Sequence, residues 1–290
     1  MTAEKTALKR IAFQGMHGAY SDQAARRCFP GAVTVPCRTF EGAFGALRDG
    51  EVDLAVIPID NSLAGRVADV HHLLPESGVH IIGETFLRIN HALLAVKGSQ
   101  ISDIREIHSH VHALGQCRKI RKELGVHTVV GPDTAGCAKE VADRGDKSIA
   151  AIAPVLAAEI YGLDILRTEI EDAEHNTTRF IILSRDAQEA TIDSGLVVTS
   201  FVFRVRNVAA ALYKALGGFA TNGINMTKLE SYMVEGHFTA TQFFAEVEAH
   251  PEELRLRHAL EELQFFSHEV RILGVYPADP FRRDNDLPAE

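Results

Sequence analysis

Residues 176–180, Asn-Thr-Thr-Arg-Phe, place amide, hydroxyl and guanidinium groups side by side where a polar loop enters a predicted strand. Groups of this kind bind and orient small anionic molecules. Arg179 can pair with a carboxylate through two parallel hydrogen bonds, and it can equally lie in a structural salt bridge. The residue types alone leave both roles open.

A second polar group follows the predicted apolar strand 54–59. Asn61 and Ser62 come directly after this strand, and open α/β sheets bind their ligands at the carboxyl ends of strands. Both side chains are therefore candidates for hydrogen bonds to a ligand. Capping of a following helix by one of them is a compatible alternative.

The glycine-rich segment 15–21, Gly-Met-His-Gly-Ala-Tyr-Ser, follows a predicted strand and opens a predicted helix with Ser21 as N-cap. Backbone N–H groups at the positive end of a helix can bind an anion, and a tight turn that needs glycine backbone angles is an equal alternative. The spacing does not fit GxGxxG, and no Gly-Lys-Ser/Thr follows. Nucleotide binding is therefore a minor alternative.

Three histidines alternate in the segment 108–112, His-Ser-His-Val-His. On a strand they would share one face, as zinc ligands do. No nearby carboxylate or cysteine has ligand spacing, and residues 109–122 look like a loop that enters a helix. We therefore expect a polar helix start and no metal ion, with a zinc site as the alternative.

The elements that position these segments follow a simple pattern, in which short apolar runs alternate with helical stretches from residue 9 to about 183. This pattern is typical of parallel strands buried between helices in an α/β domain. Thr39 and Asp133 are predicted helix N-caps. Extended runs at 79–96 and a polar loop at 168–178 predict two crossings between two lobes, with a ligand cleft between the lobes.

A different pattern begins after a polar linker at 186–195. The predicted elements are strand, helix, strand, strand, helix and strand, at 197–205, 207–216, 225–231, 239–247, 251–263 and 268–275. This βαββαβ order is the ferredoxin-like α+β arrangement, over residues 196–276. The first of these helices is predicted to end at Gly217-Gly218, and the tail 277–290 is expected to be flexible.

The composition bounds the class of protein. The chain has 290 residues, enough for two domains, and its 46% hydrophobic and 24% charged residues are typical of a water-soluble globular protein. Its 39 acidic and 30 basic residues give a net charge of −9, and no dense run of Lys and Arg marks a nucleic-acid or membrane surface. We expect neither nucleic acid nor membrane as a partner.

The sequence of the first ten residues and the cysteine usage both predict a cytoplasmic protein. Residues 1–10 hold no apolar stretch that resembles a signal peptide or transit sequence. The longest apolar stretch, 149–160, contains Pro154 and is much shorter than the roughly 20 residues that span a bilayer. The 4 cysteines lack CxxC pairing, which favours reduced thiols.

Taken in order, these segments resemble those of the prephenate dehydratases, from about residue 10 to residue 276. The matching segments are 15–21 for the family's GxxGxxS turn, 58–65 for P-I-E-N-S-x-x-G with Asp60 in place of Glu, 109–117 for S-H-P-Q-A-L-x-Q-C, and 133–135 for the S-T-A turn. Residues 176–180 match N-x-T-R-F, the most diagnostic motif of the family. Within 109–117, Val111 and His112 replace Pro and Gln, so a titratable group replaces an amide.

The resemblance implies a reaction, the conversion of prephenate to phenylpyruvate with loss of carbon dioxide and the ring hydroxyl, and no metal or organic cofactor. It also implies that Thr178 assists the departing hydroxyl. Because a threonine hydroxyl is a weak acid, we expect Thr178 to act as a placed hydrogen-bond donor. The other implied residues are Asn61, Ser109 and Gln116 for catalysis, and Arg179, Ser21, Ser62 and Thr134 for substrate binding.

The implied fold is an α/β two-lobed catalytic domain at 8–185, with a periplasmic-binding-protein-like cleft, followed by a ferredoxin-like ACT regulatory domain. The ACT resemblance implies L-phenylalanine as effector, bound between subunits, and self-association as a dimer or tetramer. The implied effector-binding residues are Asn207, Ala211, Leu212, Asn225, Glu230 and Ser231. Ala210 stands where the family has Gly, and Tyr232-Met233 where it has Arg-Pro, so we expect altered effector contacts.

Two other functions compete with this interpretation. Arogenate dehydratase differs only by an amino group on the substrate side chain, and the sequence does not separate the two activities. A non-catalytic, two-lobed sensor of amino acids or keto acids would share the cleft and the second domain. The joint presence of Asn61, Ser109, Gln116, Thr178 and Arg179 favours the enzyme. No chorismate mutase domain fits before Arg10, so a monofunctional chain is expected.

Overall fold

The computed structural model describes residues 8–206, 208–233 and 240–284. These form two compact units. The first takes residues 8–67 and 85–180, and the second takes residues 68–84 and the described residues from 181 onward. The sequence predicts a first domain that runs without interruption from 8 to 185, and the structure differs because residues 68–84 pack within the second unit.

The first sheet is mixed. Its strands are β1 (Arg10–Gln14), β2 (Val33–Cys37), β3 (Leu54–Asn61), β4 (Gly65–Arg66), β5 (His80–Arg88) and, later in the chain, β11 (Thr177–Ser184). They are ordered β2-β1-β3-β11-β5, with β4 paired to β3. β1 is parallel to both neighbours, and Ile11 pairs with Thr34 on one side and Leu54 on the other. Helices α1 (Tyr20–Cys28) and α2 (Phe40–Arg48) pack on this sheet, and α3 (Ala68–Glu76) lies between β4 and β5 in the chain.

The second sheet lies wholly in the first unit. Its strands are β6 (Ala92–Ala95), β7 (Glu106–Ser109), β8 (His127–Val130), β9 (Ile149–Ala153) and β10 (Asp164–Arg167), ordered β10-β6-β9-β7-β8. The helices between them are α4 (Val111–Gln116), α5 (Arg118–Leu124), α6 (Thr134–Arg144) and α7 (Val155–Tyr161). Every residue of β9 is buried, since Ala151 packs into one apolar cluster and Ile152 into another on the opposite face. A strand buried on both faces has an unbroken apolar sequence.

Two of the predicted helix caps are confirmed. The Thr39 hydroxyl accepts a hydrogen bond from Gly42 N, and the Asp133 carboxylate accepts one from Gly136 N. The prediction for Ser21 is wrong, because α1 begins at Tyr20 and Ser21 is a buried residue of its first turn. The side chain of Asp22 instead holds the turn before the helix, since its carboxylate accepts a hydrogen bond from Gly18 N at 2.8 Å.

The second unit contains the predicted βαββαβ order. Its elements are β12 (Val197–Val205), α8 (Ala211–Thr221), β13 (Met226–Met233), β14 (Ala240–Val247), α9 (Leu254–Phe266) and β15 (Ser267–Pro277). The antiparallel sheet is ordered β13-β14-β12-β15. Unlike the prediction, α8 continues through Gly217-Gly218. A Cβ at Gly218 would lie 2.9 Å from Glu262 Cβ, so glycine permits close packing of α8 on α9.

The two faces of this sheet are covered differently. Helices α8 and α9 cover one face with a core that includes Phe201, Phe203 and Phe243. The residues from α3 to Glu84 lie against the other face, where a Cβ at Gly274 would overlap the carbonyl oxygen of Ile81. This packing explains why residues 68–84 belong to the second unit. Across the described ranges, no helix is both long and apolar enough to cross a bilayer.

The prediction of a flexible tail is wrong for residues 277–284. Pro277 ends β15, and a short helix, α10 (Phe281–Asp284), follows. The Arg282 guanidinium contacts three carboxylates: Nε lies 2.6 Å from Glu84, Nη2 3.2 Å from Glu246, and Nη1 3.3 Å from Glu248. Residues 277–284 pack because these three carboxylates, distant in the chain, hold the largely buried Arg282 side chain.

Candidate active site

Three strand ends meet in the first unit. Asn61 ends β3, and the next residue, Ser62, donates its backbone N–H to Thr177 O at 2.9 Å. Ile89, just after β5, donates its N–H to Asn176 O at 2.8 Å. The ends of β3 and β5 therefore lie beside the start of β11.

Asn61 is oriented by its own turn. Its Oδ1 accepts hydrogen bonds from Leu63 N at 3.0 Å and Ala64 N at 2.8 Å. Its Nδ2 must then point the other way, where it donates to Asn176 Oδ1 at 2.8 Å and to Thr178 Oγ1 at 2.9 Å. The Thr178 hydroxyl thus accepts a hydrogen bond, and no group within the described chain accepts its proton.

The hydrogen bonds continue from Asn176 towards the interior. Asn176 is buried and donates its Nδ2 to Gln116 Oε1 at 2.9 Å. The same oxygen lies 2.9 Å from His91 Nε2, and His91 Nδ1 lies 2.7 Å from the Tyr20 hydroxyl. We refer to Thr178, Asn61, Asn176, Gln116, His91 and Tyr20 together as the polar network. It joins β3, β11, α4, the residues after β5, and the start of α1.

Burial sets the ionisation of His91 and Tyr20, the members of the polar network farthest from Thr178. It lowers the pKa of His91 below its usual value, against the opposing effects of Gln116 and Glu171, so the imidazole is neutral near pH 7. Burial also raises the pKa of Tyr20, with further contributions from Cys117 and Glu171. The polar network therefore joins neutral groups, and its hydrogen bonds are fixed by donor and acceptor types.

A cavity of about 410 Å³ adjoins the polar network. Its lining residues are Leu63, Ala64, Val111, His112, Gly115, Gln116, Arg118, Glu171, Asp172, Ala173 and Asn176. Gln116 and Asn176 belong to both the wall and the polar network. Asp172 accepts hydrogen bonds from Arg118 N and Lys119 N at the start of α5, so backbone donors partly offset its charge.

Arg179 lies beside Asp60 rather than in the cavity wall. It is buried, and its Nη1 lies 3.6 Å from Asp60 Oδ2. The salt bridge is therefore present, with Asp60 at the position where the family motif has Glu. Contact of Arg179 with substrate stays a prediction.

The two predicted serines make backbone contacts. Ser62 Oγ donates to His175 O at 2.8 Å and accepts from Thr177 N at 2.9 Å. Its hydroxyl therefore acts as both donor and acceptor in joining two loops. Ser109 is fully buried and donates to Ile152 O at 2.6 Å. In this conformation neither hydroxyl belongs to the polar network, although Ser62 lies next to Asn61.

Ser21 and Thr134 lie in the first turns of α1 and α6, respectively. Neither hydrogen-bonds to the polar network within the described residues. The glycine turn before α1 is a close approach, because a Cβ at Gly18 would lie 2.9 Å from Ala157 Cα. This favours the tight-turn interpretation, and Asp22 already occupies the Gly18 N–H.

The three alternating histidines do not share a face. His108 is buried on β7 with Nε2 3.2 Å from Glu106, and His110 is the N-cap of α4 and accepts from His112 N. His112 lines the cavity. Across residues 8–206, 208–233 and 240–284, no group of three His, Cys, Asp or Glu side chains is arranged to hold a metal ion.

The predicted effector residues are spread over the second unit. Ala211 is the buried first residue of α8, and Leu212 packs on the core beneath that helix. Asn225 is exposed before β13, and Glu230 pairs with Lys228 at 3.5 Å. Asn207 lies outside the described residues.

Two departures from the family pattern lie in the effector segments, at Tyr232 and Ala210. Glu230 and Ser231 are consecutive on β13, so their side chains point to opposite faces of the sheet. Tyr232 is buried, and its hydroxyl lies 2.7 Å from His71 Nδ1 on α3. Ala210 takes the left-handed conformation, with φ of 62°, that glycine adopts without strain. All six effector assignments stay predictions.

Sequence reasoning missed three members of the polar network: Asn176, His91 and Tyr20. Asn176 opens the N-x-T-R-F segment, so that motif already contained the signal. Tyr20 belongs to the glycine turn, immediately before Ser21. His91 had a weaker signal, as a polar residue between the apolar runs that form β5 and β6.

Comparison with known proteins assigns the family. The family model described as prephenate dehydratase matches residues 11–188. A bifunctional N-acyl-homoserine lactone acylase/prephenate dehydratase from Komagataeibacter europaeus is 54% identical over 273 residues, covering 94% of this chain and 97% of that protein. The chloroplastic arogenate dehydratase/prephenate dehydratase 1 of Arabidopsis thaliana is 41% identical, over 94% of this chain and 73% of that protein.

A solved structure agrees with these sequence matches. The prephenate dehydratase from Arthrobacter aurescens, in complex with L-Phe, superimposes with a TM-score of 0.85 at 29% identity, covering 97% of this chain and 92% of that one. The chain belongs to the prephenate dehydratase family.

Proposed function

We propose that this chain converts prephenate to phenylpyruvate. The dianionic substrate takes up one proton and loses carbon dioxide and water, so that its ring becomes aromatic. The protein must hold a substrate with two carboxylates and supply a hydrogen-bond donor to the departing hydroxyl. The observation that carries the proposal is the Thr178 hydroxyl, which accepts a hydrogen bond from Asn61 and retains its own proton for a ligand.

The hydrogen bond from Asn61 assists this role in two ways. It fixes the Thr178 oxygen, so that the remaining O–H has fewer directions to adopt. It also draws electron density from the oxygen, which makes the O–H a stronger donor, because hydrogen bonds in a chain polarise one another. Thr178 then stabilises the negative charge that develops on the departing hydroxyl.

The cavity supplies the other donors. Gln116 presents its Nε2 on the cavity wall, since its Oε1 faces Asn176 and His91. Arg118, also on the wall, provides the positive charge for a substrate carboxylate. Glu171 and Asp172 contribute opposite charge, and backbone N–H groups of His91, Arg118 and Lys119 stabilise them. We place prephenate in this cavity, with its departing hydroxyl directed past Asn176 towards Thr178, which is joined to the wall residue Asn176 through Asn61 and is not itself a lining residue.

The test is phenylpyruvate formation from prephenate by the purified chain, with a parallel reaction on arogenate and a chelator control. Turnover of prephenate that survives chelation supports the proposal and a cofactor-free site. Preference for arogenate would assign the related activity that the Arabidopsis protein's name includes. No turnover of either substrate would favour the non-catalytic sensor.

We further propose that the second unit is an ACT domain that binds L-phenylalanine and through which subunits associate as a dimer or tetramer in the cytoplasm. The ferredoxin-like βαββαβ order and the L-Phe complex of the Arthrobacter protein support this. Calorimetric titration with L-phenylalanine, and sedimentation with and without it, are the tests. Absence of binding would contradict the regulatory role.

The bifunctional relative raises a second candidate activity. Its 54% identity extends over 94% of this chain, so the same fold could hydrolyse the amide of an N-acyl-homoserine lactone. The assay is release of free homoserine lactone from an acylated substrate. Release at the rate of a buffer control would exclude this second activity.

A further inference from the structure

We infer that His91 is a positioning residue for Gln116: its Nε2–H, together with Asn176, occupies the Gln116 carbonyl oxygen and so directs the Gln116 NH₂ group into the cavity. The inference deepens the proposed function, on which its kinetic test rests. It follows from donor and acceptor types along the polar network.

The direction of each bond is set from the turn after β3. Two backbone N–H groups hold Asn61 Oδ1, so Asn61 Nδ2 faces Asn176. Asn176 must therefore accept this hydrogen bond through its Oδ1, which directs its Nδ2 towards Gln116. Gln116 must then present Oε1 to Asn176, since two NH₂ groups cannot bond to each other.

The same oxygen, Gln116 Oε1, faces His91 Nε2 at 2.9 Å. An oxygen only accepts, so Nε2 carries a proton. The Tyr20 hydroxyl lies 2.7 Å from Nδ1 and 2.9 Å from the carbonyl oxygen of Asn90, so in the neutral ring, which the lowered pKa favours, Nδ1 and Asn90 O are both acceptors for its single proton. The Gln116 contact therefore sets the tautomer of the neutral His91 ring, with the proton on Nε2.

This arrangement has a consequence at the cavity. Both lone pairs of Gln116 Oε1 are occupied by N–H donors, and the amide cannot turn over without breaking two hydrogen bonds. Its Nε2 has no acceptor within the described residues, and Gln116 lines the cavity. Gln116 therefore presents an oriented N–H donor to an anionic ligand.

His91→Leu leaves Gln116 Oε1 with Asn176 as its one donor, so a single hydrogen bond instead of two resists rotation of the amide. Since a single hydrogen bond is worth about 1 kcal/mol, we expect kcat/KM for prephenate to fall about fivefold, mainly through KM. His91→Gln can donate to Gln116 and accept from Tyr20, so we expect it to recover to within about threefold of the original value. His108→Leu is the control, since His108 is equally buried and contacts Glu106 instead.

A double-mutant cycle separates positioning from general structural damage. In a Gln116→Leu background His91 has no amide to orient, so His91→Leu should change KM by less than about twofold. An undiminished fivefold effect in that background would overturn the inference. So would a fall in kcat/KM for His108→Leu that equals the fall for His91→Leu.

The tautomer gives a test that does not depend on turnover. A long-range ¹H–¹⁵N spectrum of the full chain should show His91 neutral at pH 7, protonated at Nε2 and unprotonated at Nδ1. A neutral Nδ1–H form would overturn the inference even if prephenate is turned over. If the unaltered chain turns over neither prephenate nor arogenate, the proposed function fails and the spectrum still decides the tautomer.

Discussion

Asn61→Asp reverses the hydrogen bond that prepares Thr178 while it keeps the local turn. A carboxylate can still accept from Leu63 N and Ala64 N, which lie 3.0 and 2.8 Å from Asn61 Oδ1. Its other oxygen would replace Nδ2, which now donates to Asn176 at 2.8 Å and to Thr178 at 2.9 Å. The contact with Asn176 Oδ1 would then join two acceptors, and the contact with Thr178 would reverse its direction.

The Thr178 hydroxyl is then expected to donate to the new carboxylate and to turn its proton away from the substrate. Loss of one placed donor to a developing negative charge lowers kcat by roughly 10²- to 10³-fold, or about 2.7–4 kcal/mol. KM should change much less, because this donor acts on the leaving group in the transition state. Folding stability should fall by about 1–3 kcal/mol, since Asn176 Oδ1 loses its donor.

The assay is steady-state turnover of prephenate from pH 5 to pH 8, with thermal unfolding measured in parallel. Activity should recover in part at low pH, because a protonated carboxyl at position 61 can again donate. Asn222→Asp, which makes the same chemical change at the end of α8 in the second unit, is the control and should leave kcat unchanged. An unaltered kcat for Asn61→Asp, or an equal effect on kcat and KM, would refute the reasoning.

Three further predictions concern stability. Arg282→Met removes the guanidinium from the buried carboxylates of Glu84 and Glu246 and should lower the free energy of unfolding by about 3–5 kcal/mol in urea titrations. Arg283 is the exposed neighbour, and Arg283→Met should lower the free energy of unfolding by less than about 0.5 kcal/mol. Ala210→Gly removes the strain of a non-glycine residue in the left-handed conformation and should raise the free energy of unfolding by about 0.5–1 kcal/mol. A decrease would contradict strain at this position. Burial lowers the pKa of His91, so the unfolded chain binds the extra proton first and stability falls as the pH drops below about 6.5. His91→Gln should flatten that dependence by up to about 1.4 kcal/mol per pH unit, and an unchanged slope would show that His91 does not titrate this way.

Local features of the fold could be predicted from the sequence. Thr39 and Asp133 cap the helices that they precede, because capping involves a backbone N–H only three residues away. The βαββαβ order also follows from local periodicity. Ser21 misled the prediction, since the buried Asp22 takes the N–H of Gly18 and the helix begins one residue before Ser21.

Features that depend on distant partners could not be predicted. Asn61 and Thr178 were identified from their motifs, but Asn61 meets Asn176 only because β3 and β11 are neighbours in the sheet. His91 joins the polar network through α4, which no local pattern indicates. The packed tail has the same cause, since Arg282 pairs with Glu84 far earlier in the chain.

The role of Thr178 is tested most directly by single-turnover and steady-state conversion of prephenate to phenylpyruvate by the unaltered chain, Thr178→Ser and Thr178→Ala. The account predicts that Thr178→Ser retains most of the turnover, because it keeps the hydroxyl that Asn61 orients. Thr178→Ala should lose roughly 10²- to 10³-fold in kcat with little change in KM. Equal losses in kcat and substrate affinity, or full turnover by Thr178→Ala, would contradict the account.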